Sequence, residues 1–309
     1  MSILIDMVEV REKDEISLTD VWREIWKKKI FVIIVGISFT ALAIALAISL
    51  PNKYTAKVLL VPIKEEQDGL ASLAKSFGGL AGMAGLKLGR NRGPDKTDIA
   101  LEVLKSQTFI EAFIKKHNLA VPLMAAKNSD PVTYELEFNE KVYDVKASKW
   151  IREVKAPKTP EPSAEELSEA FLKILEIEVV PKTGFVQLSV EFFSPVLAQQ
   201  WLTLLVEEIN SVVKEQDKRE ALSSLDYLNE VILQTDNRRM HETFYQLIEE
   251  QTKTLMLVES RPEYVLKTVA PAVVPEKRTS PKRALIVVFG GLVGGILAVL
   301  FVVIRFILK

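Results

Sequence analysis

The sequence predicts an α+β domain, with a membrane-proximal α/β base and long projecting helices, flanked by two transmembrane helices. Two uncharged apolar runs lie near the two ends of the chain, over residues 30–50 and 284–304. Between them are short segments in which apolar and polar residues alternate, as in half-buried strands. Residues 196–261 contain neither glycine nor proline, which favours helix throughout that stretch.

Each apolar run is long enough to cross a bilayer as a helix. Both have 21 residues, and at ~1.5 Å per residue such a helix covers the ~30 Å hydrocarbon core. The first run contains 13 Leu, Ile, Val or Phe residues, which together favour insertion by roughly 4–8 kcal/mol. It is too long for the core of a cleaved signal peptide, so we interpret it as an anchor. Two buried helices of a water-soluble protein are the alternative.

The charges beside the first span predict the orientation of the chain. Lys27, Lys28 and Lys29 directly precede the span, and the positive-inside rule keeps such residues in the cytoplasm. The second span has the opposite local bias, with four basic residues before it and two after it: Lys277, Arg278, Lys282, Arg283; Arg305, Lys309. Because this bias weakens across long loops, we follow the first span.

The predicted organisation therefore has five parts. They are a cytoplasmic segment (1–29), transmembrane helix 1 (30–50), an outer domain (51–283), transmembrane helix 2 (284–304) and a cytoplasmic tail (305–309). Within the outer domain, residues 51–194 and 262–283 form the base and residues 195–261 form the long helices.

The segment SLTDVWREIWKKK, before the first span, has the pattern of an amphipathic helix. Ser17 and Asp20 stand at the spacing of a capping box, and Trp22 and Trp26 share one helical face. Tryptophan is typical of the membrane–water interface, so we interpret these tryptophans and Lys27–Lys29 as juxtamembrane anchors that contact lipid. Packing of the helix on another cytoplasmic protein is the alternative.

Several base elements are predicted from local patterns. Residues 54–63 favour a strand, 97–117 a helix, and VTYELEF and VYDV two further strands. Ser163 and Glu166 form a capping box, and ILEIEVV and FVQLSVEF form a hairpin around PKTG. The glycine-rich segment 69–93 has two interpretations, close helix packing between subunits and a flexible loop.

The long helical region is predicted to start at Pro195, behind an N-cap at Ser194, and to break near residues 235–237. This gives one helix of about 40 residues, roughly 60 Å long, and a second of about 24. Trp201 is predicted to lie in the core, and the polar stretch KEQDKRE in solvent. The segment YVLKTVAPAVV is predicted to pair as a strand with residues 54–63.

The sequence provides little material for catalysis, cofactors or metals. The chain has no cysteine, and its two histidines, His117 and His241, stand far apart without a ligand pattern. Adjacent acids such as Glu165 with Glu166 and Glu207 with Glu208 are interpreted as solvated helix faces, and Lys115–His117 as complementing a helix dipole. A net charge of −1 does not favour nucleic acid as a partner. We therefore expect no enzyme, no cofactor and no metal site.

The order of these features resembles the Wzz-type chain-length determinants, which are bacterial polysaccharide co-polymerases. The resemblance covers nearly the whole chain and rests on ISLTDVWREIWKKK, YTAKVLLVP, ALEVLKSQTFIEAFI, VEFFSPVLAQQWLTLLVEEIN and APAVVPEKRTSPKRALIVVFGGLVGG. In the last of these, three prolines precede a glycine-bearing span, in the manner of the family's proline-rich region: Pro271, Pro275, Pro281.

The resemblance implies an inner-membrane homo-oligomer whose periplasmic domains form a ring. It implies a non-enzymatic regulator of the modal length of a surface polysaccharide, usually lipopolysaccharide O antigen, with a Wzy-type polymerase and lipid-linked polysaccharide as partners. With five residues after the second span and no tyrosine cluster there, the chain resembles the kinase-lacking class. The alternative is a membrane adaptor that activates a separate cytoplasmic tyrosine kinase in capsule or exopolysaccharide export.

Small residues and prolines give the second span two candidate functional features. Gly290 with Gly294, and Gly291 with Gly295, repeat the GxxxG spacing that lets a transmembrane helix pack closely on a neighbour. Pro281 lacks a backbone donor and disfavours helix at the preceding residue, so the span is expected to start afresh after a stiff connector.

Overall fold

The computed structural model describes residues 18–63, 95–235 and 237–308. The chain divides into two compact units, an end unit formed by its two ends (up to Asn52 and from Thr279 onward) and a central unit, Lys53–Arg278. The glycine-rich segment 69–93 and the predicted cap at Ser17 lie outside the described residues.

The end unit consists of three helices, α1 (Leu18–Lys27), α2 (Lys29–Ser49) and α9 (Arg283–Ile307). The helices α2 and α9 are long and apolar enough to cross a membrane, and most of their side chains are not buried within the protein. Large apolar residues such as Ile33 and Leu297 are about half exposed on their outer faces. Such a surface is suited to lipid rather than to water.

The central unit contains eight strands and six helices among its described residues. In chain order they are β1 (Tyr54–Pro62), α3 (Lys96–Lys105), α4 (Gln107–Lys116), α5 (Ala120–Ala125), β2 (Ala126–Ser129), β3 (Leu136–Phe138), β4 (Tyr143–Asp144), β5 (Lys149–Trp150), α6 (Ala164–Ile174), β6 (Leu175–Val179), β7 (Val186–Phe192), α7 (Pro195–Leu233), α8 (Arg238–Ser260) and β8 (Leu266–Ala270).

Four of these strands form one antiparallel sheet in the order β6-β7-β1-β8. The predicted hairpin is confirmed as β6 and β7, joined by a turn in which Gly184 has φ +69°. The predicted pairing of the first and last strands is confirmed as well, with Leu60 opposite Thr268 and Pro62 opposite Leu266. Strands from both ends of the central unit are therefore neighbours in one sheet.

One face of the sheet is covered by helices and forms the core. Alternate residues of β1 and β7 are buried, as the period of a strand requires: Ala56, Val58, Leu60, Val186, Leu188, Val190. The predicted core position of Trp201 is confirmed, since it is 2% exposed and its ring centroid lies 4.3 Å from that of Phe192.

The long helices follow the predicted pattern. The first, α7, has 39 residues, which corresponds to about 58 Å, and it begins with Pro195 in its first turn. Ser194 occupies the N-cap position without a capping bond from its side chain. The helix α7 ends at Leu233, and the next helix, α8, begins at Arg238 and has 23 residues, in agreement with the predicted break. Beyond Val213, α7 buries only Ala221 and Leu228, so its second half lies largely outside the core.

The helix expected over residues 97–117 is instead two helices. Ser106 is extended, with ψ 138°, and its hydroxyl accepts a hydrogen bond from the backbone N–H of Phe109, which caps α4. A serine that satisfies a free N–H in this way favours a new helix start over helix continuation. The strands predicted in residues 132–145 are also shorter than expected, because Asp130 and Tyr134 (φ +59°) form a turn before β3.

The capping box of α6 is confirmed, but the interpretation of Glu166 as a solvated acid was wrong. Ser163 and Glu166 exchange hydrogen bonds at the start of α6. The Glu166 carboxylate also accepts from Arg152 and, at 2.9 Å, from Lys158. These cations, Arg152 first, and the Ser163 N–H lower the pKa of Glu166 to about 2. The carboxylate therefore ties the segment before α6 to the helix.

We predict that Glu166 contributes acid-sensitive stability. Because its pKa is lower in the folded chain than its ordinary value of 4.5, the contribution is complete above about pH 4.5 and is lost as the pH falls towards 2. Glu166→Gln should therefore lower the thermal midpoint of the detergent-solubilised chain at neutral pH, and the difference from wild type should shrink in acid.

The matched control is Glu169→Gln on the same helix, where the carboxylate is largely exposed and lies 3.7 Å from Lys173. That variant should follow wild type at every pH. A constant gap between Glu166→Gln and wild type across the acid range would contradict the prediction.

Candidate functional site

The helices α2 and α9 pack against each other through small residues. The buried residues of α2 are Ala43 and Ala47, and those of α9 are Gly294, Ala298 and Val302. Each set is spaced by four residues, which places its members on one face of a helix. We call this contact the small-residue seam.

Three of the four predicted glycines face this seam. A Cβ atom on Gly290 would collide with the side chain of Ala43, and one on Gly294 with that of Phe39. A Cβ on Gly291 would lie 2.8 Å from the Thr40 hydroxyl oxygen. Gly295 differs, because a Cβ there would meet no atom within 4 Å.

The alanines of α2 are the half of the seam that sequence reasoning missed. They lie in ALAIALA, where alanines also stand at positions 41 and 45. Because alanine occurs at every second position, the spacing of four that marks one helical face is not distinguishable in the sequence. The partner helix decides which alanines are buried.

One end of this helix pair carries the predicted tryptophan and lysine anchors. Trp22 and Trp26 are 65% and 59% exposed, and their rings stack with centroids 6.1 Å apart. The ammonium group of Lys29 lies 5.4 Å from the ring centroid of Trp26. The Phe31 and Phe301 ring centroids, 5.6 Å apart, place the start of α2 beside the last turns of α9.

The predicted proline connector lies between β8 and α9. In the central unit, Pro271 and Pro275 flank an extended segment whose Ala272 carbonyl accepts a hydrogen bond from Gln199 of α7 at 3.3 Å. In the end unit, Pro281 lies two residues before the first residue of α9, and Arg283 donates to the side chain of Asn52 at 3.1 Å. Each half of the connector is thus held within its own unit.

A buried asparagine joins α7 to β8. The side-chain oxygen of Asn210, which is 4% exposed, accepts from the backbone N–H groups of Tyr264, Val265 and Leu266 at 2.9–3.1 Å. Its amide donates to the Leu266 carbonyl at 3.0 Å. Backbone groups that would be costly to bury unpaired are satisfied by one side chain, which fixes where β8 begins along α7.

About two turns further along α7, a second group of polar contacts corrects the expectation that KEQDKRE lies in solvent. Asp217 accepts from the Tyr264 hydroxyl at 2.7 Å and from Lys96 at 2.6 Å. Burial first, and then the bond to Asp217, raise the pKa of Tyr264 to about 12. Tyr264 therefore stays protonated as a donor at any physiological pH. This group fastens α3 and the segment that leads into β8 to α7.

The predicted histidines and acids take separate places among the described residues. His117 and His241 lie on different helices, and the described residues contain no group of three potential metal ligands. Glu208, expected to be solvated, instead pairs with Lys116 at 2.7 Å and is only 16% exposed. Lys116 lies in the last turn of α4, as the helix-dipole interpretation requires.

Two family models match the chain. Residues 14–117 match the model described as "Wzz: Chain length determinant protein". Residues 227–307 match the model described as "G-rich domain on putative tyrosine kinase". The first match spans α1, α2, β1 and the helices α3 and α4, and the second spans the end of α7, α8, β8, the connector and α9. No curated protein sequence matches the chain.

Solved structures with similar folds include a "full-length bacterial polysaccharide co-polymerase", which is 17% identical over 94% of this chain and 98% of that one, with a TM-score of 0.38. A "Fragment of WzzB, Polysaccharide Co-polymerase from Salmonella Typhimurium" is 14% identical over 74% of this chain and 100% of that one, with a TM-score of 0.25.

The seam yields a prediction with an internal control. Gly294→Leu should force α9 away from Phe39 of α2 and lower the thermal midpoint of the detergent-solubilised chain, because added bulk in a packed contact costs about 1–3 kcal/mol. Gly295→Leu adds the same side chain where nothing lies within 4 Å and should leave the midpoint unchanged. Equal effects of the two variants would show that the seam does not hold the helices together.

Proposed function

We propose that the chain, whose residues 14–117 match the Wzz chain-length-determinant model, is a polysaccharide co-polymerase that regulates the modal chain length of lipopolysaccharide O antigen. It does so as a non-enzymatic, homo-oligomeric partner of a Wzy-type polymerase in the bacterial inner membrane. The match to the chain-length-determinant model is the observation that carries this proposal.

The geometry of the chain is compatible with regulation by position rather than by bond making. Two apolar helices join through a small-residue seam. A long helix is fastened to the start of β8 by Asn210 and to α3 by Asp217. In this proposal α2 and α9 span the inner membrane and residues 51–283 lie in the periplasm, with both flanking segments in the cytoplasm. The periplasmic domains of several copies form a ring, and lipid-linked polysaccharide is a further partner.

The proline connector joins the proposed periplasmic domain to the second proposed transmembrane helix, α9. It follows β8, contacts α7 through Ala272, and enters α9 two residues after Pro281. Because proline has a fixed φ angle, a segment rich in it resists bending. The connector is therefore suited to limiting bending between β8 and α9.

A second candidate function is favoured by the match of residues 227–307 to a domain described on a tyrosine kinase. On this alternative the chain is a membrane adaptor that binds and activates a separate cytoplasmic kinase in capsule or exopolysaccharide export. Its inner face would be the segment before α2 and the end of α9.

Deleting the gene and comparing polysaccharide profiles discriminates between these functions. Chain-length control of O antigen predicts that the modal cluster in the lipopolysaccharide ladder flattens and that the wild-type gene restores it. The adaptor function predicts an unchanged ladder, a change in capsule or exopolysaccharide, and co-purification of a kinase with the chain. An unchanged profile of every surface polysaccharide would contradict both.

Complementation with seam variants tests whether the helix pair takes part in length control. At equal protein levels, Gly294→Leu should shift or abolish the modal length, because it disturbs the contact between α2 and α9. Gly295→Leu should complement as well as wild type. If both variants gave the wild-type ladder, the seam would have no role in setting chain length.

A further inference from the structure

One end of the helix pair collects basic side chains from the two ends of the chain. Arg23 and Lys27 lie on α1, Lys28 and Lys29 lie at its junction with α2, and Arg305 lies in the last turn of α9. The helix α1 packs against both α2 and α9. The Phe31–Phe301 contact, at 5.6 Å, places the beginning of α2 beside α9 one turn before Arg305. We call these five residues the basic end.

Aromatic side chains stand next to this positive charge. Trp22 and Trp26 are both more than half exposed, and Lys29 lies over the ring of Trp26. Only Lys28 separates α1 from α2, so the tryptophans follow directly on the apolar helix. Exposed tryptophan beside an apolar span is typical of the depth at which lipid headgroups lie.

Basic residues outnumber acidic residues in the helices that form the basic end. Against its five basic residues, α1 carries two acidic residues, Asp20 and Glu24, and α2 and α9 carry none. A cluster of this size at the end of a transmembrane helix attracts anionic lipid. Residues 1–17 carry five acidic residues and two basic ones, so the positive excess is confined to the helices themselves.

We propose that the basic end is a binding site for anionic phospholipid headgroups, built jointly by α1 and the last turn of α9. The phosphates lie against Arg23, Arg305 and the lysines, while Trp22 and Trp26 pack along the adjoining acyl chains. Lipid fits this surface better than an acidic protein does, because the cations and the exposed tryptophans lie where apolar helices end. The inference rests on the proposed membrane insertion of α2 and α9 and is independent of polysaccharide length control.

The test is the headgroup preference of the full chain reconstituted in phosphatidylcholine vesicles. Spin-labelled phosphatidylglycerol and spin-labelled phosphatidylcholine are added separately, and electron paramagnetic resonance measures the fraction of each that the protein immobilises. Wild type should prefer phosphatidylglycerol, and high salt should weaken the preference because it screens exposed charges. Arg23→Gln with Arg305→Gln should reduce the preference by up to roughly fivefold for each charge removed.

These two arginines are chosen because Lys27–Lys29, which orient the chain, stay intact. The matched control is Lys141→Gln with Lys146→Gln, which removes two exposed charges from the central unit and should keep the wild-type preference. Equal immobilisation of both lipids by wild type, or an unchanged preference in the double arginine variant, would overturn the proposed site. If the basic end bound a protein instead of lipid, wild type would immobilise both lipids equally.

The same experiment distinguishes failure of the headgroup site from failure of the proposed membrane insertion of α2 and α9. If neither lipid is immobilised, the helices are not in the bilayer, and the membrane placement fails together with the site. If both are immobilised equally, the helices are inserted and only the headgroup site is wrong. The lipopolysaccharide ladder plays no part in either result.

Discussion

The structure depends on the cost of exposing two apolar helices to water. Across α2 and α9, large aliphatic side chains such as Ile33, Leu42, Leu297 and Ile304 are 47–59% exposed, and the residues buried within the protein are mostly small. In water, exposing these apolar surfaces would be unfavourable and would promote aggregation. The hydrocarbon core of a bilayer is a favourable solvent for them. Membrane insertion accounts for this inverted pattern, with small residues inside and large ones outside.

In the central unit, a helix of about 58 Å is attached to a sheet of four strands. Only the first half of α7 lies against the sheet, where Trp201, Leu205 and Ile209 enter the core. The polar contacts of Asn210 and Asp217 follow directly where this apolar contact ends. They fix the direction in which the remainder of α7 and its partner α8 leave the sheet.

Local sequence signals predicted the parts of the fold that are decided locally. The hairpin β6–β7, the capping box at Ser163, the start of α7 at Pro195 and the break before α8 all follow from periodicity and from capping or turn residues. The break at Ser106 was missed, because serine fits a helix interior and an N-cap, and only its bond to Phe109 decides between them. The polar stretch around Asp217 was misread because its partners, Lys96 and Tyr264, are distant in sequence.

The same distinction applies to the candidate site. Glycines 290, 291 and 294 were predicted as packing residues from their spacing, but nothing in that spacing separates them from Gly295, which faces no atom. The alanines of α2 and the contribution of Arg305 to the basic end were not predictable, since each depends on a helix from the opposite end of the chain. Contacts between the two ends require the tertiary structure.

The central claim is that the domain between the two helices lies on the periplasmic side of the inner membrane. Cysteine accessibility tests it most directly. The chain has no cysteine, so Lys182→Cys, in the exposed turn between β6 and β7, gives a single thiol. A membrane-impermeant maleimide should label it in intact spheroplasts, while Ser2→Cys should react only after permeabilisation. The reverse pattern would place the domain in the cytoplasm and would contradict the account.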